Sequence, residues 1–336
     1  MAVCENYSLD NKRVYVAGHS GMVGSAVVRR LANENCEVIT ATHSELDLCR
    51  QAEVEEFIAC QRPHAVICCA AKVGGILANT TYPAEFIYEN LAIVTNLTEA
   101  AHRSQVEKFV MLGSSCIYPR EAAQPIPEEA LLTGPLEKTN EWYAIAKIAA
   151  IKLLQAYRRQ YGHCFVSCMP TNLYGPEDNF DLQTSHVVPA LMRKIHEAKV
   201  QGRREVEIWG TGRPRREFLY VDDCADAIVH ILKNYDQEEP INIGTGKDIT
   251  IADLAALLAK VIEHECVFRF NSSMPDGTAR KLLDVSRLHE LGWSAPTSLS
   301  EGLAKTYAWF KQWWRKRVNG ATDSRQVSGR ASSKRA

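Results

Sequence analysis

The stretch Arg13-Val-Tyr-Val-Ala-Gly18-His-Ser-Gly21-Met-Val-Gly24 passes from an apolar run into three evenly spaced glycines. Arg13 to Gly18 reads as a short buried strand, and Gly21 to Asn33 carries helix periodicity. A tight glycine turn between a strand and a helix lets the backbone approach a pyrophosphate, whose charge is stabilised by the first N–H groups of the helix. The turn alone is a weak signal. Its position between these two elements gives it weight.

Working outward, Glu37-Val-Ile-Thr-Ala reads as a second strand and His64-Ala-Val-Ile-Cys-Cys-Ala-Ala71 as a fourth, with room for a short one between them. Lys108-Phe-Val-Met-Leu-Gly113 follows a helix through Asn90 to His102, and Phe165-Val-Ser-Cys-Met-Pro170 follows a long helix carrying Tyr143. Apolar strands alternating with helices specify an α/β chain, a Rossmann-type doubly wound parallel sheet whose ligands lie beyond the carboxyl ends of the strands. After Pro176 the alternation breaks down, which suggests a smaller α/β substrate-binding domain. The expected division is a nucleotide-binding domain over 12–175 with segments near 217–243 returning to it, a substrate domain over 176–216 and 244–316, and a disordered tail over 318–336. The tail is rich in Asn, Gly, Ser and basic residues without an apolar period.

The 336 residues carry 39 basic and 40 acidic side chains, so no global field draws the chain to nucleic acid or to an anionic membrane. No apolar run is long enough for a membrane span, and the first eleven residues, with Glu5 and Asp10, lack the pattern of a signal peptide. A cytoplasmic location is expected. The eleven cysteines are scattered, with no paired Cys-x-x-Cys motifs of zinc spacing, so no metal site and no disulfide framework is expected.

Tyr143 and Lys147 stand four residues apart in Trp-Tyr-Ala-Ile-Ala-Lys, downstream of the pair Ser114 and Ser115. Positions i and i+4 share a helix face, so the ammonium could sit beneath the phenol and lower its pKa from about 10 toward neutrality. Such a tyrosine can pass a proton to a ketone oxygen while a reduced nicotinamide delivers hydride to the carbon. Gly18, His19, Ser20, Gly21, Met22, Val23 and Gly24 form the expected cofactor turn, and Ala70 and Ala71 should border the cofactor from the end of the next inner strand. The end of the second strand, Thr40-Ala-Thr-His43-Ser44, has no acid at Thr40 to Thr42 to bind ribose hydroxyls. That favours NADPH/NADP+, with His43 as a phosphate neighbour or an ordinary surface-turn histidine.

These motifs, with Ala70-Ala-Lys-Val-Gly-Gly75, Gly113-Ser-Ser-Cys-Ile-Tyr-Pro119, Pro170-Thr-Asn-Leu-Tyr-Gly-Pro176 and Pro275-Asp-Gly-Thr278, resemble the extended short-chain dehydrogenase/reductases that act on nucleotide sugars. The resemblance runs from Arg13 to about Trp314. It implies a GDP-linked 4-keto sugar substrate, epimerised at C3 and C5 and then reduced at C4 by NADPH. It assigns the epimerisation acid/base pair to Cys116 and His186, whose reference pKa values of about 8.5 and 6.5 suit proton exchange near neutrality. Which is acid and which is base stays open.

Ser114 is implied as a hydrogen-bond donor to the C4 oxygen, Tyr143 as its proton donor and Lys147 as the ribose-binding cation. The cofactor site is further implied to include Gly113, Ser114, Pro170, Thr171, Asn172, Leu173 and His186. The nucleotide sugar is implied to meet Lys194, Trp209, Arg216 for the diphosphate, and Asp276, for which a simple turn role is the alternative. The family also implies a homodimer packed through the helices near Asn90 to His102 and Tyr143 to Tyr161. Two other functions fit the fold: a 4-epimerase that returns its hydride and needs no Cys/His pair, and a non-catalytic cofactor-binding protein that could lose Tyr143.

Overall fold

The computed structural model describes residues 6–274 and 276–331, with the backbone alone for Ile76 and for 318–331. The first half runs β1 (Lys12–Ala17), α1 (Met22–Leu31), β2 (Cys36–Ile39), α2 (Gln51–Gln61), β3 (Ala65–Cys68), α3 (Ile76–Thr81), α4 (Pro83–Arg103), β4 (Lys108–Leu112), α5 (Glu141–Tyr161) and β5 (Cys164–Pro170). The second half runs β6 (Asn172–Tyr174), α6 (Val187–Val200), β7 (Glu205–Trp209), β8 (Arg215–Tyr220), α7 (Val221–Asn234), β9 (Ile241–Ile243), β10 (Asp248–Thr250), α8 (Ile251–Ile262), β11 (Val267–Asn271), β12 (Arg280–Lys281), α9 (Ser286–Glu290) and α10 (Leu299–Ala331).

The main sheet is parallel throughout, in the order β2-β1-β3-β4-β5-β9. Its strands read as unbroken apolar runs because both faces are covered. Alternate residues serve opposite cores. Val14, Val16, Ala65, Ile67, Val110 and Val166 pack beneath α1 and α7, while Tyr15, Val66, Phe109, Met111 and Phe165 pack beneath α2, α4 and α5. Each fully buried Val, Leu, Ile or Phe side chain contributes about 1.5–3 kcal/mol relative to exposure. The strand order reverses between β1 and β3, which opens a crevice at their carboxyl ends where a ligand can enter.

No strand forms between β2 and β3, so the inner strand expected as the fourth is the third. Local side-chain bonds hold the intervening chain in turns. Glu45 accepts from the N–H and hydroxyl of Thr42, and Asp47 accepts from the Cys49 N–H at 3.0 Å. These bonds give the backbone an alternative to pairing with a strand.

Of the two segments expected to return to the main sheet, only Ile241–Ile243 does so, as β9. Phe218-Leu-Tyr belongs to β8, the centre of a second sheet in which β8 pairs with β6, β10 and β12. A pair of strands, β7 and β11, completes the smaller layer, and α6, α8 and α10 enclose a third core around Phe180, Met192, Leu254 and Phe310.

The tail expected to be disordered is helical to Ala331, with 332–336 outside the described residues. Extending an established helix fixes one residue per hydrogen bond gained, and needs no apolar period of its own. Among the described residues no helix is long and apolar enough to cross a membrane.

Candidate active site

The glycine turn separates three roles that the sequence presents alike. Gly18 lies at φ +79°, and a Cβ there would stand 2.7 Å from the Ala70 backbone. A Cβ at Gly24 would stand 2.1 Å from the Gly18 carbonyl oxygen, so this glycine is required for the helix to pack on the turn. Gly21 is different. A Cβ there would meet nothing closer than the Gly18 oxygen at 3.6 Å, so the protein's own packing does not require a glycine.

Gly21 caps α1 without a side-chain hydrogen bond, which leaves the first N–H groups of the helix for an anion. Nearby, the buried Nδ1 of His19 finds no partner among the described residues. An open glycine face, an uncapped helix start and an orphaned polar atom fit a pyrophosphate passing over residues 18–24. Ser20 and His43 are exposed, and Met22, Val23, Ala70 and Ala71 are partly buried around the turn.

The chemistry-bearing residues meet at the carboxyl end of β4. A Cβ at Gly113 would lie 2.3 Å from the Met169 sulfur, so a side chain there would displace Met169. The next residue, Ser114, caps a single turn over Ser115–Ile117 and accepts the Cys116 N–H at 3.3 Å. The Tyr143 phenol from α5 lies close enough to the Ser114 hydroxyl for that group to draw the phenol's pKa down. One turn of α5 later, Lys147 is buried and donates to the Leu112 carbonyl at 2.9 Å, tying the helix to the end of β4.

The ammonium lies 5.8 Å from the centre of the Tyr143 ring, yet the phenol is not lowered as the i, i+4 spacing suggests. Burial pushes its pKa up, the neighbouring Cys116 adds to the rise, and the Ser114 hydroxyl opposes it. The same burial lowers the Lys147 pKa.

Pro170, Thr171, Asn172 and Leu173 form the crossing from the main sheet to the smaller one. Thr171 donates its N–H to Ile243 of β9, while the Asn172 side chain donates to the Glu217 carbonyl of β8 at 2.8 Å. His186 stands at the start of α6. Its loop is docked on the Gly74-Gly75 turn, with the Gly75 N–H donating to the Thr184 carbonyl at 3.2 Å. His186 is exposed as a residue, yet the protein crowded around it lowers its pKa.

Lys194 and Trp209 come together, with the ammonium 4.9 Å from the ring centre and donating to the Glu207 carbonyl. Partial burial lowers the Lys194 pKa. Arg216 lies near both Cys116 and Asp276, and burial lowers the guanidinium pKa. Both carboxylate oxygens of Asp276 accept from Thr211, one from the N–H at 2.6 Å and one from the hydroxyl at 2.8 Å. Pro275 lies outside the described residues.

Two residues of this region escape the sequence reading. Lys281 on β12 points its ammonium at Cys116, with Nζ 3.9 Å from Sγ. The signal available was its place in Arg280-Lys281, just after the Asp276-Gly-Thr turn. Asp178 lies in the loop that leads to His186. One of its oxygens accepts the Asn179 N–H, the other is buried with no partner among the described residues, and burial raises its pKa to about 7.

A family model described as the NAD dependent epimerase/dehydratase family matches residues 14–244. The chain is similar to a GDP-L-fucose synthase of Sinorhizobium fredii, 61% identical over 90% of this chain and 97% of that protein. It is also similar to a GDP-L-fucose synthase of Escherichia coli, 52% identical over 90% of this chain and 97% of the other. Among solved structures, a GDP-L-fucose synthetase from Naegleria fowleri bound to NADP superimposes with a TM-score of 0.85 at 26% identity, covering 93% of this chain and 98% of that one.

Proposed function

The chain belongs to the NAD dependent epimerase/dehydratase family, and from that footing we propose that it makes GDP-L-fucose from GDP-4-dehydro-6-deoxy-D-mannose by 3,5-epimerisation and then NADPH-dependent reduction of the C4 ketone. The observation that carries the reading is the single turn after β4, which places Ser114 and Cys116 against the Tyr143 phenol. One carbonyl oxygen set against Ser114 and Tyr143 serves both halves. It gathers the negative charge of an enolate when a neighbouring carbon loses its proton, and it gathers charge again as the ketone is reduced. A hydride-retaining 4-epimerase would have no use for the thiol beside this pair.

The nicotinamide, when bound, supplies the hydride for C4. Tyr143 gives the proton to the C4 oxygen. Its raised pKa keeps the phenol protonated at neutral pH, which is the form a proton donor must hold. Ser114 donates to the same oxygen and fixes its position, and Lys147 would hold the cofactor ribose. Cys116 and His186 exchange protons with C3 and C5. Inversion requires the proton to leave one face and return to the other, so one side chain cannot perform both steps.

Residues 18–24, with Ala70, Ala71, Gly113 and Pro170 to Leu173, hold the dinucleotide, and the absence of an acid at the end of β2 supports NADPH over NADH. Arg216 takes the diphosphate of the nucleotide sugar, while Lys194 and Trp209 meet the same substrate. We assign the working unit as a cytoplasmic homodimer joined through α4 and α5.

The test is incubation of the purified chain with GDP-4-dehydro-6-deoxy-D-mannose and NADPH, following absorbance at 340 nm and identifying the sugar by NMR. GDP-L-fucose is the expected product. Binding of NADPH without its oxidation would remove the reading.

A further inference from the structure

Where β12 runs beside β8, two pairs of like charges face each other across the strands, Arg280 opposite Arg215 and Lys281 opposite Arg216. Two like charges side by side repel, and an anion between them relieves the repulsion. The first pair has one. Asp248, on β10, accepts from Arg280 Nε at 2.5 Å and from Arg215 at 2.7 Å. At the second pair, the group within reach of both cations is the sulfur of Cys116, 3.9 Å from Lys281 Nζ and close enough to Arg216 to act on its charge. Among the described residues no carboxylate forms an ion pair with Lys281, although Asp276 lies near Arg216.

Nor is this a loose surface lysine. The next two N–H groups of the chain are pinned, that of Leu282 by the Gln124 side chain at 2.8 Å and that of Leu283 by the buried Glu217 carboxylate at 3.0 Å. The groups nearest Cys116 are Lys281 from β12, Arg216 from β8 and the Tyr143 phenol from α5, while Arg120, Glu137 and Arg280 line the same small cavity.

We propose that Lys281 is a positioning residue for epimerisation, its ammonium holding Cys116 as the thiolate that removes the substrate proton. This rests on the function proposed above. The thiolate takes the proton from C3 or C5 and becomes a thiol. The electron pair of the broken C–H bond passes into the enolate, whose charge rests on the C4 oxygen against Ser114 and Tyr143. His186 then returns a proton to the carbon from the opposite face. Charge leaves the sulfur as it arrives on the oxygen, and Lys281 stays a cation throughout.

The experiment compares the full-length wild type with Lys281→Met and Lys281→Arg. Iodoacetamide labelling of Cys116 is followed by mass spectrometry of its peptide between pH 6 and pH 9.5. Deuterium wash-in at C3 and C5 reads epimerisation, and oxidation of GDP-L-fucose by NADP+ reads the hydride step without it. Lys281→Met is expected to slow labelling at pH 7 about tenfold, move the labelling profile to higher pH and slow wash-in by a similar factor. Oxidation of GDP-L-fucose should stay within about twofold, and Lys281→Arg should recover most of the labelling rate.

Unchanged labelling with weaker GDP binding by calorimetry would give Lys281 to the diphosphate and overturn the proposal, as would labelling and wash-in both unchanged. If Lys281→Met melts well below the wild type, Lys281→Gln replaces it. A wild type that neither exchanges deuterium nor oxidises NADPH would sink the function, while the labelling comparison would still decide whether Lys281 governs the thiol.

Discussion

Gly21 and Gly24 look equivalent in the sequence and should behave in opposite ways. Gly24→Ala forces a Cβ to within 2.1 Å of a backbone oxygen, so the variant should lose stability or fail to fold, as read by thermal melting. Gly21→Ala should cost no more than about 1 kcal/mol, the difference between glycine and alanine at a helix start, yet weaken NADPH binding at least tenfold by fluorescence titration. Cys116→Ser should lose deuterium wash-in at C3 and C5 by a factor of about 100 or more while retaining reduction of the ketone, so that NMR finds an unepimerised sugar. Residues of this kind are legible in a sequence when their chemistry and spacing lie within one turn or one helix, as with Gly18 to Gly24 and Tyr143 with Lys147. Lys281 was not. It reaches Cys116 only through the register of β12 on β8, which local spacing does not encode. The direction of the Tyr143 shift was misread for a related reason, since spacing shows which charge is near but not how much water has been removed.

Among elements, the loop between β6 and α6 carries its own pH dependence through Asp178. Its carboxyl, at about pH 7 in the folded chain against 3.8 ordinarily, binds a proton more tightly when folded than when unfolded. This contribution to stability is therefore present in full below about pH 4 and is lost as the pH rises through about 7. Melting curves of the wild type and Asp178→Asn should agree most closely in acid and diverge above neutrality, with the asparagine variant the more stable. Glu217 is the buried anchor of the second sheet. It accepts the N–H groups of Thr245, Gly246 and Leu283, and burial raises its pKa against their pull. Glu217→Ala leaves those donors without an acceptor at about 1–3 kcal/mol each, and should lower the melting midpoint by many degrees. The inner strands were plain in the sequence because burial on both faces leaves no polar alternation. Phe218-Leu-Tyr was equally apolar and was placed in the wrong sheet, because an apolar run reports burial without naming its neighbour.

For the whole molecule, the proposed dimer predicts a mass near twice 37.6 kDa by light scattering. Tyr88, Trp142 and Tyr161 expose 62%, 45% and 48% of their surface on α4 and α5, and Tyr88→Asp should shift the population toward monomer. The alternation of strands and helices made the large layer legible as a whole. The small layer was not, since β6, β10 and β12 have only three, three and two residues, too few to show a period. The seam between the layers divides the proposed site: Ser114, Cys116, Tyr143 and Lys147 stand on the large one, while His186, Lys194, Trp209, Arg216 and Lys281 stand on the small one. Such a partition leaves descent free to act on the two halves separately. Changes confined to the small layer can recruit a new nucleotide or sugar, and the proton and hydride machinery is inherited without alteration. The exceptions are His186, at the start of α6, and Lys281, which tie one hereditary unit to the other.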